Sequence, residues 1–284
     1  EVDMFSEKHK KEMPLLGTLG MGGGIGSNLS SFTTPGDPTY STTIPYGLDQ
    51  SSSGNTDYLN RNYTASTSGR RTWTFATWFK KDTSSTLWLL GALGTSSNHF
   101  NFRINANGQI EAYQYEFSGQ YGTFTTNTGA TSAMDGNWHH IIMNYDSTQS
   151  TSSDRIRYYL DGSAVTITSS SWPAQNQYTN VADGGNNTFI GRNGYTDAYT
   201  TDMKWADTYL AHTQRYDPIQ FISNGTPVPF DTVISGQNNS TWGDGFAFKY
   251  AASGNFGTNS LPSGTNWSSN GYSSGDQLTN VDVS

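Results

Sequence analysis

The chain contains no cysteine, which excludes disulfides and thiolate metal sites and leaves the compartment open, since many exposed proteins manage without them. It also lacks any uninterrupted apolar run of the roughly 18 residues that a membrane-spanning helix needs, so no membrane insertion is expected. Charge is scarce: charged residues make up 13% of the 284, and their balance is acidic, with a net charge of -8. Nucleic-acid binding depends on Lys and Arg neutralising phosphates. An anionic membrane surface makes the same demand, so neither partner is expected. Glutamate is scarcer still, with five in the chain: Glu1, Glu7, Glu12, Glu111 and Glu116. Glycoside hydrolases need two carboxylates roughly 5 to 10 Å apart. Three of these glutamates lie at the N-terminus, and the spacing of Glu111 and Glu116 puts them on opposite faces of a continuous strand. Nothing singles out a nucleophile among the many serines either. No catalytic residue is assigned, and the chain reads as a non-enzyme; a glycoside hydrolase, with Glu111 its best residue, is kept as an alternative.

Aromatic residues are plentiful, 14% of the chain against 33% for all hydrophobics. A core built from rings suits strands better than a helical bundle. The clearest strand pair lies within Asn137 to Gly162. Trp138, His140 and Ile142 alternate with His139, Ile141, Met143 and Tyr145, and Ile156, Tyr158 and Leu160 alternate with Arg155, Arg157 and Tyr159. Asp161-Gly162 then fits a tight hairpin turn. His139 and His140 are adjacent, so a strand sends them to opposite faces. They cannot share a metal site, and one of them is expected in the core, hydrogen-bonded.

Before that centre, 1–12 is charged and Met13 to Gly26 is apolar and Gly-rich. Five glycines interrupt Met13 to Ile25 and no clear cleavage site follows, so no signal peptide is read. The stretch is either a flexible leader or an arm that orders against a neighbouring subunit. Ser27 to Asn55, with Pro35, Pro38 and Pro45, reads as linker. The folded region is expected to start at Tyr58. Trp73 to Lys80 is apolar on both faces and belongs in the middle of the domain. Strands follow over 86–92, 100–104, 109–115 and 121–126, with Asn107-Gly108 as a hairpin turn. Thr168 to Gly185 reads as a polar connection and Thr188 to Arg192 as a strand. In Met203 to Ala211, alternation places Met203, Trp205, Asp207 and Tyr209 together. Asp217-Pro218 fits the start of one helical turn, with Asp as its cap. The tail from Asn224 holds one clear strand, Gly245 to Tyr250. Together these predict an all-β fold, a two-sheet antiparallel jelly-roll sandwich with an extended Gly-rich N-terminal arm. The expected divisions are 1–57 as arm and linker, 58–223 as jelly roll, and 224–284 as a C-terminal strand and polar extension packing on it.

The order Trp73-Thr74-Phe75, Asn137-Trp138-His139-His140-Ile141, Tyr159-Leu160-Asp161-Gly162, Phe189-Ile190-Gly191-Arg192 and Trp205-Ala206-Asp207 ahead of Asp217-Pro218 resembles the laminin-G-like, concanavalin A-like jelly-roll domains. More narrowly, it is similar to those in structural proteins of tailed, especially marine, bacteriophages. The N-terminal MPLLGTLGMGGGIGS and the closing SGTNWSSNGYSSGDQLTNVDVS point the same way. The resemblance implies a virion-surface protein of appendage, fibre or capsid-decorating type, with a sandwich that binds carbohydrate or protein and in some members calcium at one rim. It further implies contact with other virion proteins through the N-terminal arm, and a homo-oligomer, in appendages a trimer.

Glycan binding needs exposed ring faces and nearby polar side chains. The loop Asn193 to Asp202 offers Tyr195, Asp197 and Tyr199, and the connection before it offers Trp172 with Tyr178. The alternative is that these rings cover a thin core or an intersubunit contact. No cofactor is required. For calcium, which takes oxygen ligands, the candidates are Asp183, Asp197, Asp202 and Asp207, against the alternative that Asp is simply common in polar loops.

Overall fold

Strands account for nearly all the regular structure in the computed structural model, which describes residues 41–50, 56–81, 85–95, 98–116, 122–195, 202–252 and 254–284. The Gly-rich arm, Asp197 and Tyr199 lie outside the described residues. In chain order the strands are β1 (Thr43–Gln50), β2 (Tyr58–Asn62), β3 (Thr72–Lys80), β4 (Leu87–Thr95), β5 (Asn98–Ile104), β6 (Gln109–Glu116), β7 (Phe124–Ala130), β8 (Trp138–Asp146) and β9 (Ile156–Leu160). Then come β10 (Ser163–Val165), β11 (Ile167–Ser171), β12 (Asn187–Ile190), β13 (Met203–His212), β14 (Ile222–Ser223), β15 (Thr226–Pro227), β16 (Phe246–Phe248), β17 (Ser268–Asn270) and β18 (Gln277–Asp282). One short α-helix, α1 (Phe230–Val233), is present among the described residues.

The first sheet runs β10-β9-β8-β3-β13-β1-β18, with β16 also paired to β13, and the second runs β11-β7-β6-β5-β4-β12-β2-β17. All pairings in both are antiparallel. The sandwich expected from the strand alternation is therefore present, and its core is made of rings. Trp73 packs edge-on against Phe100 at 5.6 Å and stacks on Tyr145 at 5.4 Å. Phe75 meets Phe102 at 5.9 Å, and Phe102 stacks on Tyr158 at 5.8 Å. Ile141, Met143 and Tyr145 share this cluster, whereas Ile142 lies in a second one on the other face of the first sheet.

That second cluster explains why β3 is apolar on both faces. Segments after β13 fold back over the outer face of the first sheet, so Ala76, Ile142 and Tyr209 are buried with Phe221, Phe230, Trp242 and Leu261. Trp78 is covered in a third cluster by Ile222, Val281 and Val283. A strand buried on both sides reads as a near-continuous apolar run, and its buried Thr74 and Thr77 hydroxyls are hydrogen-bonded to Asn144 and Thr208.

The structure departs from several sequence expectations. The segment read as linker contains β1, which pairs with β13 and β18, the latter formed by the polar end of the chain. The connection expected over 168–185 begins as β11, paired with β7, and β7 itself continues to Ala130. The tail supplies β17 to the second sheet as well as β16 and β18 to the first. In β13 the expected common face breaks at Asp207. Met203 and Trp205 face the main core, but the register shifts between Ala206 and Thr208, and beyond the shift Leu210 faces the core while Tyr209 faces outward. Asp207 has φ +39°, a β-bulge that inserts one residue and reverses the alternation. The turn at Pro218–Gln220 is 3-10, with Asp217 at the cap position but making no side-chain cap bond.

The two histidines divide roles differently from the expectation. His140 is fully buried between Trp78 and Phe221, and neither ring nitrogen has a partner. Burial pushes its pKa down to about 3, so it is a neutral packing ring. His139 is the hydrogen-bonded one, 2.8 Å from Asp161 through Nδ1 and 3.0 Å from Asp135 through Nε2. Asp161 also accepts the backbone N–H of His140 at 2.8 Å, which ties the Asp161-Gly162 turn to β8.

Candidate functional site

The outer face of the second sheet is built by the same alternation that fills the core. In β5 and β6, Phe100, Phe102, Ile104, Ile110 and Ala112 point inward. The intervening residues pair across the strands as His99 with Tyr115, Asn101 with Tyr113, and Arg103 with Glu111. Facing residues on one side of an antiparallel pair are close enough to interact. Arg103 Nε donates to Glu111 at 2.7 Å, and its guanidinium lies over the Trp88 and Tyr113 rings at 4.9 and 5.1 Å. Asn105 and Asn127 donate to the other Glu111 oxygen at 2.8 and 2.7 Å.

At the other end of this face the rings gather. His99 stacks with Tyr115 at 5.8 Å, meets the edge of Tyr113 at 5.9 Å, and lies 4.9 Å from Tyr195. Tyr195 arrives from the chain after β12, which lies directly on the sheet. A Cβ on Gly194 would sit 2.6 Å from the carbonyl oxygens of Ala92 and Phe100, and one on Gly91 would sit 2.4 Å from that of Arg192. Glycine at both positions is what lets the two backbones approach. Asn101 accepts the Gly194 N–H at 2.7 Å, and Asn193 accepts that of Tyr195. Tyr115 and Tyr195 remain 44% and 47% exposed, although each is held against His99. Amphipathic rings grouped half in water on a fixed support are the kind of surface that interfaces use. Burial raises the pKa of Tyr113, so this phenol stays protonated and able to donate.

The structure places the sequence candidates in separate environments. Tyr195 belongs to this platform. Trp172 is half-buried against the main core and lines a separate pocket of about 210 Å³ beside β9 and β10. Tyr178 is covered by Arg70 and Arg71, whose guanidinium carbons lie 4.6 and 5.0 Å from its ring centroid, so its face is already occupied. Asp183 is held by Arg70 at 2.6 Å, Ser66 at 2.7 Å and Asn186 at 2.9 Å. Asp202 is exposed near the buried Lys81, whose pKa burial lowers to about 8 while the Asp202 charge works the other way. Asp207 is buried at its bulge, away from both. The three described aspartates are thus not gathered into one site. No group of three or more His, Cys, Asp or Glu side chains converges among the described residues.

The sequence reading missed Tyr115, Tyr113 and His99. Its signal was present, because Tyr113 and Tyr115 alternate with the inward positions of β6 and so had to lie on the opposite face. Glu111 and Glu116 do fall on opposite sides, Glu111 on the outer face and Glu116 accepting the Gly122 N–H at the strand end. A pocket of about 580 Å³ elsewhere is lined by Ser66, Thr67, Asn238, Asn239, Ser240 and Asp244 among others, with no aromatic side chain in its lining.

A two-sheet sandwich with a ring-bearing outer face defines a lectin-like β-sandwich. The laminin G-type family model described as the concanavalin A-like lectin/glucanases superfamily matches residues 53–214, more than half of the 284, and the chain belongs to that family. No curated protein matches it. Among solved structures it is similar to the native heptameric SAP-like pentraxin from Limulus polyphemus, at 11% identity over 59% of this chain and 76% of that one, TM-score 0.40. It is also similar to mouse laminin alpha1 domains LG4-5, at 13% identity over 62% of this chain and 44% of that one, TM-score 0.43. A third is the Ruminococcus gnavus IT-sialidase CBM40, at 14% identity over 57% of this chain and 90% of that one, TM-score 0.38.

Proposed function

We propose that the chain is a non-enzymatic protein of a bacteriophage virion surface that binds host-cell glycans on the outer face of its second sheet. The observation that carries the glycan reading is the Tyr115–His99–Tyr195 platform. A sugar ring has an apolar C–H face that packs on an aromatic face, and hydroxyls at its edge that need polar partners. The platform supplies the first, and Arg103 and Tyr113 stand next to it for the second. Because both exposed tyrosines are already packed on His99, binding costs little side-chain freedom.

Membership of a lectin and glucanase superfamily supports a saccharide ligand by analogy, since one fold hosts many functions. The virion location rests on the motif resemblance, as do attachment to other virion proteins through 1–57, trimeric assembly, and calcium at a rim. Against hydrolysis stands Glu111, whose oxygens are taken by Arg103, Asn105 and Asn127. Its one companion, Glu116, points to the other side of the strand. A second reading uses the same exposed rings: a capsid-decorating or structural subunit in which Tyr115 and Tyr195 meet a neighbouring protein. A glycan array probed with the full chain separates the two. Binding that disappears in Tyr195→Ala and Tyr115→Ala supports recognition, whereas a blank array supports the structural role.

A further inference from the structure

The bulge in β13 aims a carboxylate at a place where no side chain meets it. Asp207 is 3% exposed, its Oδ1 is buried without a hydrogen-bond partner, and it lines a pocket of about 180 Å³ between the start of β1 and the segment around α1. Buried polar atoms in folded proteins are almost always hydrogen-bonded, so a carboxyl that has none and faces a cavity calls for an occupant.

The pocket's other groups specify that occupant. Its charged lining is Asp207, Asp231 and Lys249. Lys249 Nζ sits 3.1 Å from each Asp231 oxygen and 5.4 Å from the centroid of the Phe230 ring, so this ammonium is committed at the mouth and not to Asp207. With Lys249 and Asp231 paired to each other, the carboxyl at the buried end has no counter-charge of its own. The walls are apolar, with Ile44, Pro45, Val228 and Phe230 among them. A group that suits such a site carries one positive charge, several N–H donors and an aliphatic stem. Calcium suits it less, because calcium takes six to eight oxygens and no third carboxylate converges here among the described residues. An anion would find no cation free to pair with it, because Lys249 is held by Asp231. The volume is enough for a short alkyl chain and its nitrogen.

We propose that this pocket binds a primary alkylammonium group, the nitrogen against the Asp207 carboxylate and the stem along Pro45, Val228 and Phe230. Burial lifts the Asp207 carboxyl to about 8, with Lys249 lowering it and Asp231 raising it. A bound ammonium supplies the counter-charge that the fold leaves out. The group can come from a lysine side chain of a partner protein or from a free amine.

Calorimetric titration of the full chain with n-butylammonium chloride, beside n-butanol and sodium chloride at matched ionic strength, tests the assignment. Saturable binding of butylammonium alone is expected. Asp207→Asn should weaken it by at least about tenfold while circular dichroism and melting show an intact fold. Lys249→Gln, which frees Asp231, should tighten it by about tenfold. Equal responses to butanol and butylammonium, no saturable binding of either, or undiminished binding in Asp207→Asn would overturn the assignment. So would weaker binding in Lys249→Gln. With binding established, Nα-acetyl-lysine methylamide and cadaverine separate the sources. The first binding more tightly than butylammonium assigns the pocket to a protein lysine, and the second doing so assigns it to a free diamine.

Discussion

Replacing Asp207 by Asn should stabilise the protein, and by an amount that grows with pH. Burial raises the Asp207 carboxyl from 3.8 to about 8. Between those values the folded state keeps a proton that the unfolded chain has lost, so the native state binds more protons and unfolding free energy falls as pH rises. The cost is absent below about pH 4, builds through neutrality and levels off near pH 8. Each pH unit in that window is worth about 1.4 kcal/mol, so from pH 5 to pH 8 the wild type should lose about 4 kcal/mol relative to Asp207→Asn. Asparagine keeps the side-chain shape and tolerates the positive φ at this bulge. Urea unfolding of both proteins at several pH values, in a buffer free of amines, measures the difference directly. Parallel stability curves across that range would mean instead that Asp207 has a partner or titrates as in open water.

Other consequences follow from the same geometry. His139 should titrate above an ordinary histidine in an NMR titration. Burial opposes its charge, but hydrogen bonds to Asp161 and Asp135 and their charges outweigh this. Its stabilising contribution is complete at acidic pH and is lost as pH rises through the folded-state pKa, so the penalty of His139→Gln should shrink toward alkaline pH. Gly194→Ala should push the chain carrying Tyr195 off the sheet, costing about 1–3 kcal/mol in denaturant unfolding and weakening glycan binding. Trp73→Ala, at the centre of the ring core, should cost about 3–5 kcal/mol by the same measurement, and Trp78→Ala should also be destabilising even though that ring lies on the opposite face.

The parts of the fold legible in the sequence were those where burial imposes a period. β5 and β9 alternate as an inner and an outer face require, and β3 and β8, apolar on both faces, are buried on both sides. β1, β11 and β18 were not legible, for a shared reason: they lie at or near sheet edges, β11 carries serines toward solvent, and β1 and β18 complete each other across almost the whole chain. No local window contains that pairing. The face reversal in β13 was hidden because a bulge depends on backbone geometry at Asp207, and nothing in a run of alternating residues announces it. At the candidate site, Tyr195 could be found from its polar loop. Its companions His99 and Tyr115 could be found only by asking what lies on the outer side of strands whose inner side was already assigned.

The most direct test of the proposed function is the affinity of the full chain for its best glycan-array ligand, compared with Tyr115→Ala and Tyr195→Ala variants of unchanged melting behaviour. Each variant should lose at least about tenfold in affinity, as truncation of a central aromatic contact does. Unchanged affinity in both variants would contradict this and move recognition away from this face of the second sheet.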